Sequence, residues 1–457
     1  MPKTEINFDH NVFFEFEKKH SLFNLKYGDI FYWDIIRHDI YLELLWKYSA
    51  IKHTKKKLSP KQIFLYMRIF FNFFDFLFFR RPKYIFFTAS RNRINGDKVY
   101  DQNLGNILEK LSDDSILIEN FESNKNIWYY KNTFFNPIFI FRKIGFMVKK
   151  NNDFSFLLKL LIEEFPDFNL DNKRLNNLLK AFQIEYSYYN LILKIKKPKA
   201  IFITQYGVQK GLFSAAKNNN IPVVEVQHGI IDQGHLLYNY SSDNGVSKSH
   251  YYLPDYFLSF TKFWTLNVFL PVKKVIAIGN SIFAKAAVST NDMESNGLLV
   301  ASSIIFGHEL LGLIVLFAEE NVDIPIYFKL HTDQFMEVNY YKDKLSAYKN
   351  VHVFTNEKSI LELLKFSKAI LTIQSTAIYE GLHSNKLAVI YKKQSYRRHE
   401  HIFDYKNVYL IDNEKELALS FNKKIESNSL PPDLFFKKFD EKAFLELMME
   451  LDNEFVK

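Results

Sequence analysis

Short apolar runs rich in β-branched and aromatic residues recur along most of this chain, each closing on polar residues or glycine, with helical periodicity between them. "YIFFTAS" (84–90), "SILIEN" (115–120), "AIFITQ" (200–205) and "IPVVEVQHG" (221–229) form a first set. "LLVASS" (298–303), "PIYFKLHTD" (325–333), "VHVFT" (351–355), "KAILTIQST" (368–376) and "LAVIYK" (387–392) form a second. Runs this short and this continuous suit strands buried on both faces, the environment of a parallel sheet. Parallel neighbours need crossover connections, and segments such as "VYDQNLGNILEKL" have the spacing to supply them as helices. The expectation is a doubly wound α/β fold, whose ligands bind outside the carboxyl ends of its strands.

A polar stretch, "STNDMESNG" (289–297), separates the two sets and marks the joint between domains. Residues 1–82 are expected to form a helical N-terminal extension, since 11–50 reads as helix, a turn at Tyr27-Gly28-Asp29, and helix. A first Rossmann-like domain would occupy 83–288 and carry a helical insertion from about residue 137 to 195. A second would occupy 289–457.

At 457 residues the chain exceeds what one hydrophobic core organises. Its 47% hydrophobic content, with 47 Phe and 27 Tyr against 14 Gly and 12 Pro, supplies large cores and excludes a low-complexity chain. The net charge of +9 favours an anionic partner. No recognition module accompanies that charge, so no nucleic acid is expected. Without cysteine there is no disulfide, thiolate metal site or cysteine nucleophile, which suits a reducing cytoplasm. The first residues, "MPKTEINFDHNVFFEFEKKH", lack the basic stretch and apolar core of a signal peptide, so a cytoplasmic protein is expected.

One segment imitates a membrane span: "IFLYMRIFFNFFDFLFF" (63–79), between "KHTKKK" and "RRPK". Arg68 and Asp75 would each cost about 2.5–3.5 kcal/mol at the centre of a lipid-facing helix, which argues against a full span. Arg68, Asn72 and Asp75 share one helical face with aromatic residues opposite. The segment is expected to pack on its own domain or to lie on the inner membrane surface with its basic flanks.

Four polar loops at strand ends are candidates for chemistry. Gln227-His228-Gly229 closes one strand, and an imidazole with an ordinary pKa of about 6.5 suits removal of a proton from a hydroxyl. His235, seven positions on, borders the same loop. Ser302, Ser303 and Gly307 precede a helix whose first amides would attract phosphate, and Lys329 and His331 end the next strand. Ser375 and Thr376 precede another helix, with Glu380 placed to accept bonds from a ribose diol. Arg397 and Arg398, beside His399 and His401, suit an anion and would repel a metal cation. No Asp-x-Asp pair, His-Glu-x-x-His, Walker loop or Gly-x-Gly-x-x-Gly occurs, so neither a metal nor a cofactor is expected.

Strand-"QHG" in the first half, followed by "KLH" and "STAIYEGL" in the second, resembles bacterial surface-polysaccharide glycosyltransferases of the GT-B type. These include the capsule and O-antigen enzymes and, more distantly, the teichoic-acid glycerophosphotransferases. The resemblance covers roughly residues 83–425, and "VVEVQHGIIDQGHLLYNY" with "YLPDYFLSF" is its most specific part. It implies two Rossmann-like domains, the first binding acceptor and the second binding donor. The reaction implied is metal-independent transfer from a nucleotide-sugar to a glycan or lipid-linked acceptor, which inverts the anomeric carbon if it proceeds by a single displacement. His228 matches the histidine at the catalytic centre, either as acceptor base or as phosphate contact, His331 a donor-phosphate contact, Ser375 and Thr376 the phosphate-holding pair, and Glu380 the ribose ligand. Relatives read Leu-His-Pro where this chain has Leu330-His331-Thr332. Asp97 and Asp101 in "RINGDKVYD" match an acceptor-side loop, with Asp97 an alternative base. Gln227, Gly229, His235 and the two tyrosines that follow, Tyr238 and Tyr240, would line the acceptor groove. Two further readings of the same residues are a polyol-phosphate transferase using a cytidine donor and a non-catalytic glycan-binding protein of the export machinery.

Overall fold

The computed structural model describes residues 10–46, 71–88, 92–95, 98–119, 127–128, 132–138, 140–142, 145, 151–166, 168–204, 209–242, 247–285, 295–426 and 430–455. The chain divides into two compact units. One comprises Met1–Ser259, Thr265–Ile278 and Asp440–Lys457; the other comprises Phe260–Trp264 and Gly279–Phe439.

In chain order the strands of the first unit are β1 (Lys26–Tyr27), β2 (Ile30–Phe31), β3 (Tyr84–Phe87), β4 (Asn92–Asn95), β5 (Lys98–Asp101), β6 (Ser115–Glu119), β7 (Ile127–Trp128), β8 (Thr133–Phe135), β9 (Ala200–Thr204), β10 (Val223–Val226), β11 (Tyr256–Ser259) and β12 (Lys274–Ala277). Its main sheet has seven strands in the order β12-β11-β10-β9-β3-β6-β8, every neighbouring pair parallel. Every residue of β3, β6, β9, β10 and β11 is buried, as expected where helices cover both faces. The order runs outward in both directions from the β3–β9 pair, which is the Rossmann arrangement extended by one edge strand. β4 and β5 form an antiparallel hairpin and β7 pairs with β5.

The described helices of the expected insertion are Ser155–Glu164 and the 25-residue Asn172–Lys196. The longer one starts at Asp171, whose carboxylate accepts the Arg174 amide at 2.7 Å, and stops at Lys197 in a left-handed conformation. Phe13, Phe16 and Trp33 from the N-terminal helices His10–Lys19 and Trp33–Trp46 share a buried cluster with Leu157, Leu161, Leu175 and Leu179. Helix Lys210–Asn218 lies against Asn172–Lys196 at Gly211. A side chain there would meet Glu185 Cβ at 2.3 Å and the backbone of Phe182 and Tyr186 at 2.8 Å.

Of the 63–79 segment, residues 71–78 are helical, and Arg68 lies outside the described residues. Asn72 faces inward and accepts the amide of Phe135 on edge strand β8 at 2.7 Å, while Phe73 and Phe76 enter the core. Phe71, Phe74 and Phe78 are exposed, so the aromatic residues divide between two faces instead of forming one. Among the described residues no helix is long and apolar enough to cross a membrane.

The second unit contains β13 (Gly297–Ala301), β14 (Ile326–Lys329), β15 (Val351–Phe354), β16 (Ser367–Thr372), β17 (Leu387–Tyr391) and β18 (Val408–Ile411). All are parallel, in the order β15-β14-β13-β16-β17-β18, which is the 3-2-1-4-5-6 order of the Rossmann fold. The two doubly wound α/β units expected from the apolar runs are therefore observed.

Gly211→Ala is expected to destabilise the protein by about 1–3 kcal/mol, because the added methyl meets backbone that cannot swing aside. Urea unfolding of the two proteins checks this.

Candidate functional site

In the second unit the strand order reverses between β13 and β16, and their carboxyl ends therefore open a crevice at a topological switch point. Ser302 and Ser303 follow β13 and Gln374, Ser375 and Thr376 follow β16, so two of the sequence-predicted loops meet at one place. Thr372 joins them: its hydroxyl donates to the Ala301 carbonyl at 3.0 Å and accepts the Ser375 amide at 3.1 Å. The Ser375 hydroxyl accepts the Ala377 amide at 3.3 Å, and Thr376 occupies the cap position of helix Ala377–His383. Glu380 lies in that helix and is buried.

Ser303 caps the next turn by accepting the Phe306 amide at 3.3 Å, just before the 14-residue helix Gly307–Glu320. Gly307 allows a close approach: a Cβ there would sit 2.1 Å from Gln334 Nε2 and 2.3 Å from the Tyr341 hydroxyl, which bond to each other at 2.8 Å. Two polar atoms at the crevice, Ser302 Oγ and Gln374 Oε1, are buried without a hydrogen-bond partner among the described residues. Such a group costs about 1–3 kcal/mol unless a ligand or water completes it. Ser302 is 4% exposed, and its hydroxyl lies 3.0 Å from where a Cβ on Gly307, the first residue of that helix, would sit.

His331 ends the neighbouring strand β14 and caps the short helix Thr332–Glu337. Its Nδ1 accepts the Asp333 amide at 3.3 Å, while Gln334 Oε1 accepts the His331 amide at 3.1 Å. Thr332 is the first residue of that helix, and the reciprocal cap supplies the turn. Lys329 Nζ donates to the Lys358 carbonyl at 2.7 Å. Arg397 is exposed, 3.9 Å from Glu400. His399 and His401 both contact the Tyr379 hydroxyl, at 3.1 and 2.8 Å.

In the first unit, β10 ends in Gln227 and His228. The Gln227 amide continues the ladder to Leu258 at 2.9 Å, and its side chain donates to the Gly229 carbonyl at 2.8 Å, fixing the loop beneath a half-buried His228. Tyr238 returns over this loop. Its hydroxyl donates to Glu225 at 2.5 Å and lies 3.4 Å from His228 Nδ1, and its ring packs 4.7 Å from that of His235. His235 also stacks on His38, 6.2 Å between ring centres. Asp101 is buried at the end of β5, holding the Thr88 hydroxyl at 2.6 Å and the Asn103 and Leu104 amides at 2.8 and 2.9 Å. Burial pushes its carboxyl above the usual carboxylate range, offset in part by those bonds. Asp97 lies outside the described residues.

Glu225, Gln374 and Arg37 are site residues beyond those the sequence singles out, whereas Tyr238 is one of the two tyrosines expected to line the acceptor groove. Glu225 carried the one available signal, a charged residue inside the apolar run "IPVVEV".

No protein-family model and no curated protein matches the chain. Solved structures that resemble it include a UDP-GlcNAc 2-epimerase from Methanocaldococcus jannaschii, at 14% identity over 81% of this chain and 99% of that one, with a TM-score of 0.46. MurG of Acinetobacter baumannii is 12% identical over 82% of this chain and 94% of its own, with a TM-score of 0.39. MnaA of S. aureus, solved with UDP, is 11% identical over 82% of this chain and 97% of its own, with a TM-score of 0.48.

Ser302→Ala is expected to leave the unliganded fold as stable as the parent or up to about 1 kcal/mol more stable, since it removes an unsatisfied hydroxyl. Thr372→Val, which removes the bond across the crevice to Ala301 and the local bond to the Ser375 amide, should cost about 1–3 kcal/mol. Chemical denaturation of both variants checks the contrast.

Proposed function

We propose that the protein is a glycosyltransferase that passes a sugar from a nucleotide-activated donor to a growing capsule or O-antigen glycan. The observation that carries this reading is the pair of buried atoms at the second switch point, Ser302 Oγ and Gln374 Oε1, that have no hydrogen-bond partner among the described residues, with Ser302 beside the start of helix Gly307–Glu320. A donor phosphate would satisfy the serine and the first amides of that helix, and the Gln374 carbonyl would accept from a nucleotide hydroxyl or amine. Ser375 and Thr376 would hold phosphate and Glu380 would accept the ribose hydroxyls. The likeness of "QHG", "KLH" and "STAIYEGL" to surface-polysaccharide transferases directs the reading from nucleotides in general to nucleotide-sugars.

In this reaction the bond between the anomeric carbon and the donor phosphate oxygen breaks as the bond to the acceptor oxygen forms. The acceptor proton passes to His228, and the nucleotide leaves with its charge offset by helix amides, His331 and Arg397. Displacement in one step inverts the anomeric carbon.

A thermal-shift screen with UDP, GDP, CMP, CDP and dTDP conjugates tests the donor site. One conjugate should stabilise the parent, by about 2.7 kcal/mol at a hundredfold excess over Kd. Ser302→Ala should diminish that shift. His228→Ala should keep the shift and lose transfer. Absence of any nucleotide-dependent shift overturns the reading, and product phosphorus detected by mass spectrometry would replace it with polyol-phosphate transfer.

The acceptor in this reading is a glycan or lipid-linked glycan at an anionic bilayer. Phe71, Phe74 and Phe78 recur at helical spacing and are 62%, 40% and 87% exposed, with exposed Arg80 and Arg81 at the end of their helix. Aromatic side chains beside arginine suit the headgroup boundary of an anionic membrane. Flotation with phosphatidylglycerol-containing vesicles should exceed flotation with neutral ones, and replacing the three phenylalanines by serine should abolish the difference. Equal flotation of parent and variant would exclude this surface.

A further inference from the structure

We infer that Tyr238 and Glu225 are positioning residues that set the tautomer of His228, placing its ring proton on Nδ1 and leaving Nε2 as the nitrogen that accepts a proton. The inference rests on the catalytic role proposed for His228 and adds two residues to it.

The argument is a count of protons. A tyrosine hydroxyl has one proton to donate and lone pairs with which to accept. Tyr238 directs its proton to Glu225 Oε1, 2.5 Å away. With that proton committed, its oxygen can serve the imidazole nitrogen 3.4 Å away only as an acceptor. His228 Nδ1 must then carry the hydrogen, and the neutral ring keeps its lone pair on Nε2. When Nε2 takes a proton, the positive ring is bonded through the phenol to the Glu225 carboxylate. The acid residue therefore stabilises the charge without touching the ring, as an orienting carboxylate does behind other catalytic histidines.

Rigidity on both sides of the relay supports the assignment. Glu225 is fully buried on β10, an interior strand, and Tyr238 is 1% exposed. Its ring packs on Phe257 of β11, 5.5 Å between centres. Arg37 NH1 bonds the carbonyls of Leu236 at 2.5 Å and Asn239 at 3.3 Å, on either side of Tyr238, and Asn239 Nδ2 donates to the Gln233 carbonyl at 2.7 Å. The phenol is thus held from its backbone as well as from its ring.

The test is nitrogen NMR of protein labelled with 15N-histidine, with the His228 signals assigned by their loss in His228→Gln. The parent should show the Nδ1–H form, and Tyr238→Phe, which keeps the ring, should move the signals toward the Nε2–H form. Glu225→Gln, which keeps an acceptor oxygen, should retain the Nδ1–H form but lower the ring's basicity, providing a second variant if the first fails to fold. In transfer assays Tyr238→Phe should lower kcat roughly 10- to 100-fold with donor KM unchanged. The acid limb of its pH profile should move to lower pH, because the imidazolium loses its counter-charge. An Nε2–H form in the parent, or tautomers identical in parent and Tyr238→Phe, overturns the inference even if transfer proceeds. If no nucleotide-sugar is turned over but the tautomer responds as stated, the relay stands and the transferase reading falls.

Discussion

The Arg37–Glu17 pair, sealed inside the first unit, is the contact on which the loop around His228 depends. Both side chains are almost fully buried, where each charge costs several kcal/mol unless its bonds are complete. Here they are. Arg37 Nε and NH2 bond the two Glu17 oxygens at 2.7 and 3.1 Å, Trp33 donates to the same carboxylate at 2.8 Å, and the guanidinium lies 4.4 Å from the Tyr240 ring centre. Burial opposes the arginine's charge, but Glu17 outweighs it and holds the group more firmly protonated than a free arginine. The remaining donor, NH1, grips the 236–239 backbone. A buried ion pair of this kind contributes little net stability compared with apolar residues, and its value lies in the one backbone register it permits.

Asp34, one turn earlier on the same helix, repeats the device. It accepts the Tyr240 hydroxyl at 3.0 Å and the Tyr252 amide at 2.8 Å, and pairs with Lys210 Nζ at 2.6 Å. Helix Trp33–Trp46 thereby ties the loop after β10 to the start of helix Lys210–Asn218, so the N-terminal residues help to build the wall of the first unit's candidate site. In the second unit, Thr372 performs the joining across β13 and β16 that charged residues perform in the first. The difference follows from distance: neighbouring parallel strands place the two loops within reach of a single hydroxyl, whereas Arg37 must bridge a helix to a loop about two hundred positions away in the chain.

Strand positions were legible because the runs around Phe86, Ile118, Phe202, Val224, Val300 and Leu371 are apolar on both faces, a pattern imposed by burial between helices. The edge was not. β7 and β8 are two and three residues long, and Asn72, one of the polar positions on a shared helical face, turns inward to satisfy the Phe135 amide. That bond spans 63 positions and has no local signature. Ser302, Ser303, Ser375 and Thr376 could be picked out because polar residues directly after a buried strand fall at the sheet's carboxyl edge. Their meeting at a switch point required the strand order, since nothing local states that β13 and β16 are neighbours.

From its sequence alone this chain was bound to form parallel, doubly wound layers and to bring His228 and the serine-containing loops to strand ends, because periodicity and burial act over a few residues. Tertiary structure alone decided which of those polar groups share protons, which are consumed as caps, and which remain unsatisfied. The Glu225–Tyr238–His228 contacts, the capture of Asp101 by Thr88 and two amides, the cap made by His331, and the Ser302 hydroxyl, which has no partner among the described residues, are all of this kind. The physical reason is that a hydrogen bond depends on distance and angle within fractions of an ångström, and those are set only when segments distant in the chain are packed together.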